Sequence, residues 1–362
     1  MPPKPELTHR QRVKLALERR DTDRVPIALI CSGVNEPART LLDHHLRATR
    51  GVSLDQFLKP LIDVADVYAG PRAASPDGRD AWGVRRARIP TPQGGFYEEI
   101  DHYPLAAARD LRDLLNHPWP RVEDYDYAAA AARIRALRRD GDYCLMAANG
   151  NIFETSWYMR GFENLMVDFL EEPEFAHTLL AKVCDRMMEY LKRLLEAAPG
   201  EIDLVFTADD IAGQEDLLLS LPLWREFIQP FHRRMNRMLH EYGVKVVYHS
   251  DGAVMKAVPG LVDMGIDLLQ ALQFDARGMD PGVLKTDFGD RLGFVGGVSV
   301  QKTLPFGTPE MVAAEVRERK RVLGAGGNYI LGPSHMIQAG TPPENIVALF
   351  DTAAEPDPVP AA

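Results

Sequence analysis

The chain has 362 residues, 46% hydrophobic and 26% charged, proportions that exclude a disordered chain, a collagen-like repeat and a coiled coil. Against 52 Asp and Glu stand 42 Lys and Arg, a net charge of -10, which speaks against nucleic acid as a partner because that affinity comes from clustered basic side chains. No stretch is apolar for long enough to span a bilayer, and the N-terminal MPPKPELTHRQR lacks a signal-peptide core, so no membrane association and a cytoplasmic location are expected.

In chain order, Thr8 predicts a capped helix to about Arg20, and RVPIALI (24–30) reads as a buried strand. Cys31, Cys144 and Cys184 sit in or beside apolar stretches without CxxC spacing and read as buried small hydrophobes. DVADVY (63–68) is a second strand. Residues 75–105 read as a β-hairpin excursion turning at Gly94–Gly95, and its 83–99 portion is a candidate contact for a homodimer. YCLMAANG (143–150) is a strand. A long helix follows Pro173, IDLVFTADD (202–210) is a strand, and the helix from about Pro222 carries Pro230, which predicts a kink. From Val244 onward strands and helices alternate: strands 244–251, 266–272, 292–298 and 328–334, helices 252–264, 280–288 and 309–323, then a last helix opened by a capping box Thr341-Pro-Pro-Glu344. This alternation is the signature of parallel βαβ units, and the strand total of about eight predicts an α/β fold, a (β/α)8 TIM barrel with the hairpin as an N-terminal addition. One domain over 1–354 and a frayed Pro-rich tail over 355–362 are expected.

Parallel barrels carry their sites at the C-terminal ends of the strands. Those ends supply Asn149 with Glu154 beyond it, Asp209-Asp210, His249-Ser250-Asp251, Gln273, and the loop to His335. His249 and Asp251 are two apart on extended chain and so share a face, which suits one metal ion or one substrate group; the plainer alternatives are a core histidine and a helix cap. Of Asp209 and Asp210 only one can face the mouth, and Asp209 is chosen, against a structural ion pair or a loop cap. Glu154 is a catalytic candidate or the partner of Arg160. His335 is a candidate or a cap histidine. Trp157, Tyr158 and Phe153 are candidates for an aromatic wall or for core.

The stretches GNIFETSWYMRGFENLMVDFLEEPEF, YHSDGAVMKAVPGLVDMGIDLLQALQ, FGDRLGFVGGVSVQKTLPFGTPEMV and GGNYILGPSHMIQAGTPPENI resemble the uroporphyrinogen decarboxylase superfamily, more closely its branch of corrinoid-dependent methyltransferases and O-demethylases. The resemblance implies a (β/α)8 barrel. RVPIALICSGVNEPAR lacks the Arg-Gln-Ala-Gly-Arg run with which the decarboxylases grip substrate carboxylates, and no Phe-Ser-Asp-like motif is present. Where the zinc methyltransferases of the superfamily carry His-x-Cys and a later Cys, this chain has His249-x-Asp251 and His335. The resemblance therefore implies zinc on His249, Asp251 and His335, a harder donor set suited to an oxygen leaving group. The implied reaction moves a methyl group from a small-molecule methyl donor, methoxylated or otherwise methylated, to a corrinoid on a partner protein. His249, His335, Asp209 and Glu154 are then the catalytic candidates, and Asn149, Trp157, Tyr158 and Gln273 the substrate-binding ones. The alternatives are a decarboxylase-like lyase, with Arg160 or the Arg85-Arg86-Arg88 cluster as its cation, and a non-catalytic tetrapyrrole- or partner-binding barrel.

Overall fold

The structure, a computed structural model, describes residues 7–30, 33–73 and 77–356. Cys31 and tail residues 357–362 lie outside the described residues; Cys144 and Cys184 are buried free thiols. Seven parallel strands form one curled sheet: β1 (Val64–Val67), then, past the hairpin strands β2 (Arg85–Pro90) and β3 (Phe96–His102), β4 (Cys144–Ala148), β5 (Leu204–Ala208), β6 (Lys245–His249), β7 (Leu268–Gln270), β8 (Gly293–Val298) and β9 (Tyr329–Pro333). Their order is β1-β4-β5-β6-β7-β8-β9, every neighbour parallel. Helices follow the strands on the outside, giving the α/β barrel.

The eighth position is not a full strand. Segment 24–30 makes one bridge, Ile27 to Leu331, because Pro26 has no N–H for a ladder. That bridge still closes the ring: Leu331 N–H donates to Pro26 O at 2.8 Å and Asp63 N–H to Ile27 O at 2.8 Å.

Alternating positions at the N-terminal end share one device. Asp63, Asp203 and Asp267 each stand one residue before a strand. Their carboxylates accept from Ile27 N–H (2.8 Å), Leu145 N–H (3.1 Å) and Val246 N–H (2.8 Å) on the preceding neighbour. Their main-chain carbonyls accept from Cys144, Lys245 and Gly293 on the following one. One residue type thus ties three strands at each of three places and sets the stagger. The floor is sealed by the helix His9–Leu17, capped by Thr8, whose Val13 joins Ala28, Val64, Cys144, Met146, Leu204, Val247, Leu268, Val295 and Ile330 in an apolar plug. Above the plug the lumen opens toward the C-terminal ends of the strands, where Ala148 is exposed and Phe206 half-buried.

Three local expectations are corrected. The helix at Pro222 does not kink but breaks, into Leu221–Phe227 and Gln229–Glu241, because Pro230 can open a helix but not continue one. Residues 252–264 form a 3-10 turn, Val254–Ala257, before the helix Val258–Asp263. The last helix, Pro343–Ala354, has Pro342 rather than Thr341 at its N-cap and no capping side chain. Pro343 forces the residue before it into extended backbone, so the helix starts one residue too late for the box.

The hairpin runs from a base beside Asp80 to a turn at Thr91–Gly95. Its Tyr97 hydroxyl hydrogen-bonds Gln338, three residues past His335. No described helix is long and apolar enough to cross a membrane.

Candidate metal centre at the barrel mouth

β6 alternates Val247 into the lumen plug and His249 one step above it, so the imidazole faces the open lumen. Asp251 stands just beyond on the turn that Gly252 makes with φ +86°. His335 comes from the loop after β9. The structure brings these three together: one ligand atom from each of His249, Asp251 and His335 lies within 4.8 Å of the others. His335 Nε2 is 3.7 Å from Asp251 Oδ2, and the two imidazole centroids are 5.6 Å apart. Burial pushes the Asp251 carboxyl up, opposed by the imidazoles of His249 and His335 and reinforced by Asp210. Burial pushes His335 down, opposed by Asp251. A bound cation needs neutral imidazoles and an ionised carboxylate; the direction at His335 favours the first, whereas burial of Asp251 works against the second until a cation is present. Two nitrogens and one oxygen suit a borderline divalent ion such as zinc.

Asp210, not Asp209, faces this cluster. Its Oδ1 lies 3.5 Å from His249 Nε2 and accepts the Asp251 N–H at 2.8 Å. Asp209 is wholly buried and accepts from Phe153 N–H and Glu154 N–H, each at 2.9 Å, and from His232 at 2.5 Å. It therefore caps the helix Ile152–Arg160 from a neighbouring strand.

Glu154, in the first turn of that helix, is buried and accepts from Tyr158 OH at 2.7 Å and Asn151 Nδ2 at 2.8 Å. Burial, with the like charges of Asp210 and Asp209, pushes its carboxyl up to about 7. Glu154 is not paired with Arg160, which holds Asp168 at 2.7 Å and the carbonyls of Leu105 and Ala108, each at 2.9 Å. Arg160 is thus committed to the fold. Of the hairpin arginines, Arg85 pairs with Asp101 and Arg88 with Glu98; Arg86 pairs with Asp80 and lies 5.1 Å over the Tyr158 ring.

The remaining candidates spread. Trp157 and Tyr158 are half-buried, their rings edge-to-face at 4.3 Å, whereas Phe153 is core, packed on Phe169. Asn149 turns its Oδ1 back onto Gly150 N–H at 3.0 Å. Gln273 is buried and accepts the Gly252 N–H at 2.8 Å, so it holds the turn that carries Asp251. Sequence reasoning missed Gln270, wholly buried and hydrogen-bonded to His249. Its signal is a lone amide in an otherwise apolar strand. It also missed His232, hidden in an amphipathic helix stripe.

An α/β barrel with a His-Asp-His cluster at its mouth defines the class. Residues 97–356 match the family model described as uroporphyrinogen decarboxylase (URO-D), and the chain belongs to that family. It is 29% identical over 208 residues to a methylated-thiol–coenzyme M methyltransferase of Methanosarcina mazei, a match covering 58% of this chain and 52% of that protein. The chain thus spans about half the length of that relative. It is 23% identical over 373 residues to a uroporphyrinogen decarboxylase of Alkalilimnicola ehrlichii, covering 96% of this chain and 94% of that one. Among solved structures, a methyltransferase from Methanosarcina mazei superposes with a TM-score of 0.66 at 19% identity, over 96% of this chain and 98% of that one. The barrel fold is shared with it.

Proposed function

We propose that the protein is a methyltransferase that moves a methyl group from a small methoxylated or otherwise methylated compound to a corrinoid carried by a partner protein. The observation that carries this reading is the convergence of His249, Asp251 and His335 within 4.8 Å at the open end of the barrel. The methyltransferase of Methanosarcina mazei among the relatives supports the reaction class. His249, Asp251 and His335 would hold the metal, and zinc is the ion we assign. When bound, the ion supplies a Lewis acid for the leaving oxygen.

The chain's own residues then have separate tasks. Glu154, whose carboxyl is pushed up to about 7, keeps a proton on part of the molecules at neutral pH, and that protonated form delivers it to the departing alkoxide or phenolate. Tyr158 and Asn151 keep that carboxyl oriented. Asp209 positions Glu154 through the helix turn it caps. Trp157 and Tyr158 form the aromatic wall for the substrate, Asn149 is a further substrate-binding residue at the end of β4, and Gln273 acts through the turn of Asp251. A decarboxylase-like lyase is the second reading, favoured by the near full-length identity to a uroporphyrinogen decarboxylase. Arg86, over Tyr158, is its remaining cation.

Elemental analysis together with a methoxy-aromatic and cob(I)alamin assay tests the assignment. About one equivalent of zinc and formation of methylcobalamin, both lost in His249→Ala, are expected. Methylcobalamin formation that survives the substitution removes His249 from the mechanism. Carbon dioxide release from a carboxylic acid, without methyl transfer, moves the protein to the lyase reading.

A further inference from the structure

Gln270 sits on β7 with no exposed surface, paired in register with His249 of β6. Among the described residues, two hydrogen bonds of its amide fix each other's direction. On one side Gln270 Nε2 meets the main-chain oxygen of Ser334 at 3.1 Å. A carbonyl only accepts, so the NH2 end of the amide must face Ser334. The amide oxygen must then face His249 Nδ1, with which it is in close contact. An amide oxygen also only accepts, so His249 carries its proton on Nδ1. In the neutral ring Nε2 then carries the lone pair that a cation takes, and this atom lies 3.5 Å from Asp210 Oδ1. Ser334 directly precedes His335. One buried amide therefore orients the first imidazole, sets its tautomer, and tethers the backbone that delivers the second.

We infer that Gln270 is a positioning residue of the metal centre: it holds His249 as the Nδ1–H tautomer with Nε2 presented to the cation, and it ties the β9 loop so that His335 meets the same ion. The proposal rests on the metal-binding reading above. Ligating histidines need a partner on the other ring nitrogen, and losing such a partner typically lowers metal affinity by about 10- to 100-fold. Here the partner is a neutral amide, and it serves both histidine-bearing elements at once. Gln273, three residues on, holds the Asp251 turn, so the end of β7 and its following loop support all three donors.

The test compares the wild-type protein with Gln270→Met, which keeps the length of the side chain and removes both hydrogen bonds. The tautomer of His249 is read in metal-free protein by long-range 1H–15N NMR, its signals identified by their loss in His249→Asn. Zinc affinity is read by competition with a chromophoric chelator, and folding is checked by circular dichroism. Nδ1–H is expected in the wild type, with the Nε2–H form appearing in Gln270→Met and zinc binding weakened about 10- to 100-fold. An Nε2–H tautomer in the wild type overturns the proposal, whatever the variant does. So does unchanged zinc affinity in a folded Gln270→Met protein. A wild type that binds no zinc but shows the Nδ1–H tautomer overturns the metal reading and leaves the assigned orientation of Gln270 standing.

Discussion

His232 Nε2 lies 2.5 Å from Asp209 Oδ2, and neither side chain reaches solvent. The pair lies behind the mouth rather than in it. Asp209 N–H donates to His249 O at 3.1 Å, while its carboxylate takes the first turn of the Glu154 helix. One residue therefore joins the strand that bears a metal-ligand candidate to the helix that bears the proposed acid. His232 Nδ1 meets no hydrogen-bond partner among the described residues, so Asp209 is the polar group that makes the buried ring tolerable.

Asp209→Ala is expected to destabilise the fold by about 3–5 kcal/mol, because it orphans a buried imidazole and two helix N–H groups together. Asp209→Asn keeps an acceptor for the helix turn and costs less. Urea unfolding measures both. A loss under about 1 kcal/mol for the alanine variant would show that the site relaxes around water instead.

Glu154 gives the fold a pH dependence. Its carboxyl sits at about 7, against an ordinary 4.5, because burial and then the charges of Asp210 and Asp209 disfavour ionisation. Between those two values the folded chain keeps a proton that the unfolded chain has lost, so stability falls as pH rises through that window. Glu154→Gln removes this loss. Its melting temperature is expected to exceed that of the wild type by a few degrees at pH 8 and to match it near pH 4.5. Methyl transfer should disappear in the same variant at both pH values. Equal melting curves at pH 8 would place the titration elsewhere.

Much of this arrangement is legible in residue order, and the exceptions have physical reasons. His249 and Asp251 are two apart at the end of an apolar strand, so the spacing points to a shared face, although β6 ends at His249 and the turn at Gly252 completes the placement of Asp251. His335 is readable only by its place after the last strand. Asp209 and Asp210 cannot be told apart locally, because β5 ends at Ala208 and strict alternation ends with it. Arg160 takes Asp168 rather than Glu154, a choice set by helix packing. The Asp209–His232 pair spans 23 residues and two elements, so no window holds both partners. The eighth strand fails at Pro26, whose missing hydrogen is written in the sequence but is outweighed there by five apolar neighbours.

Gly252 gives a test of positioning without chemistry. Its φ is +86°, and an added Cβ would fall 2.4 Å from Gly213 O and 2.7 Å from Ala212 O. Both obstacles are backbone, so the turn itself must move. Gly252→Ala is expected to shift Asp251 away from the imidazoles and weaken zinc binding at least tenfold, although residue 252 offers no donor atom. Chelator competition measures it. Wild-type affinity in a folded variant would mean that Asp251 does not contribute to the site.

The N-terminal end of the barrel predicts the acid limit of the fold. Burial alone would raise the Asp63 carboxyl, but the hydrogen bond from His9 and the guanidinium groups of Arg24 and Arg12 outweigh it and hold Asp63 below the usual carboxylate range. Burial is likewise outweighed at Asp203 by Arg10 and Arg138, and at Asp23 by Arg12. A carboxylate held low contributes stability that is complete above its unfolded value, about 3.9, and is lost as pH falls through the folded value. Stability should therefore fall steeply below about pH 4. Asp63→Asn should lose about 3–5 kcal/mol at pH 7, since Arg24 and Ile27 N–H lose their anion at the seam that closes the barrel. Its stability should also fall less steeply below pH 4, because one of the carboxylates that titrates there is gone. Urea unfolding of both proteins from pH 7 down to pH 3 separates the outcomes: curves that converge toward acid support the ion-paired seam, and curves that stay parallel show that Asp63 carries no linked proton.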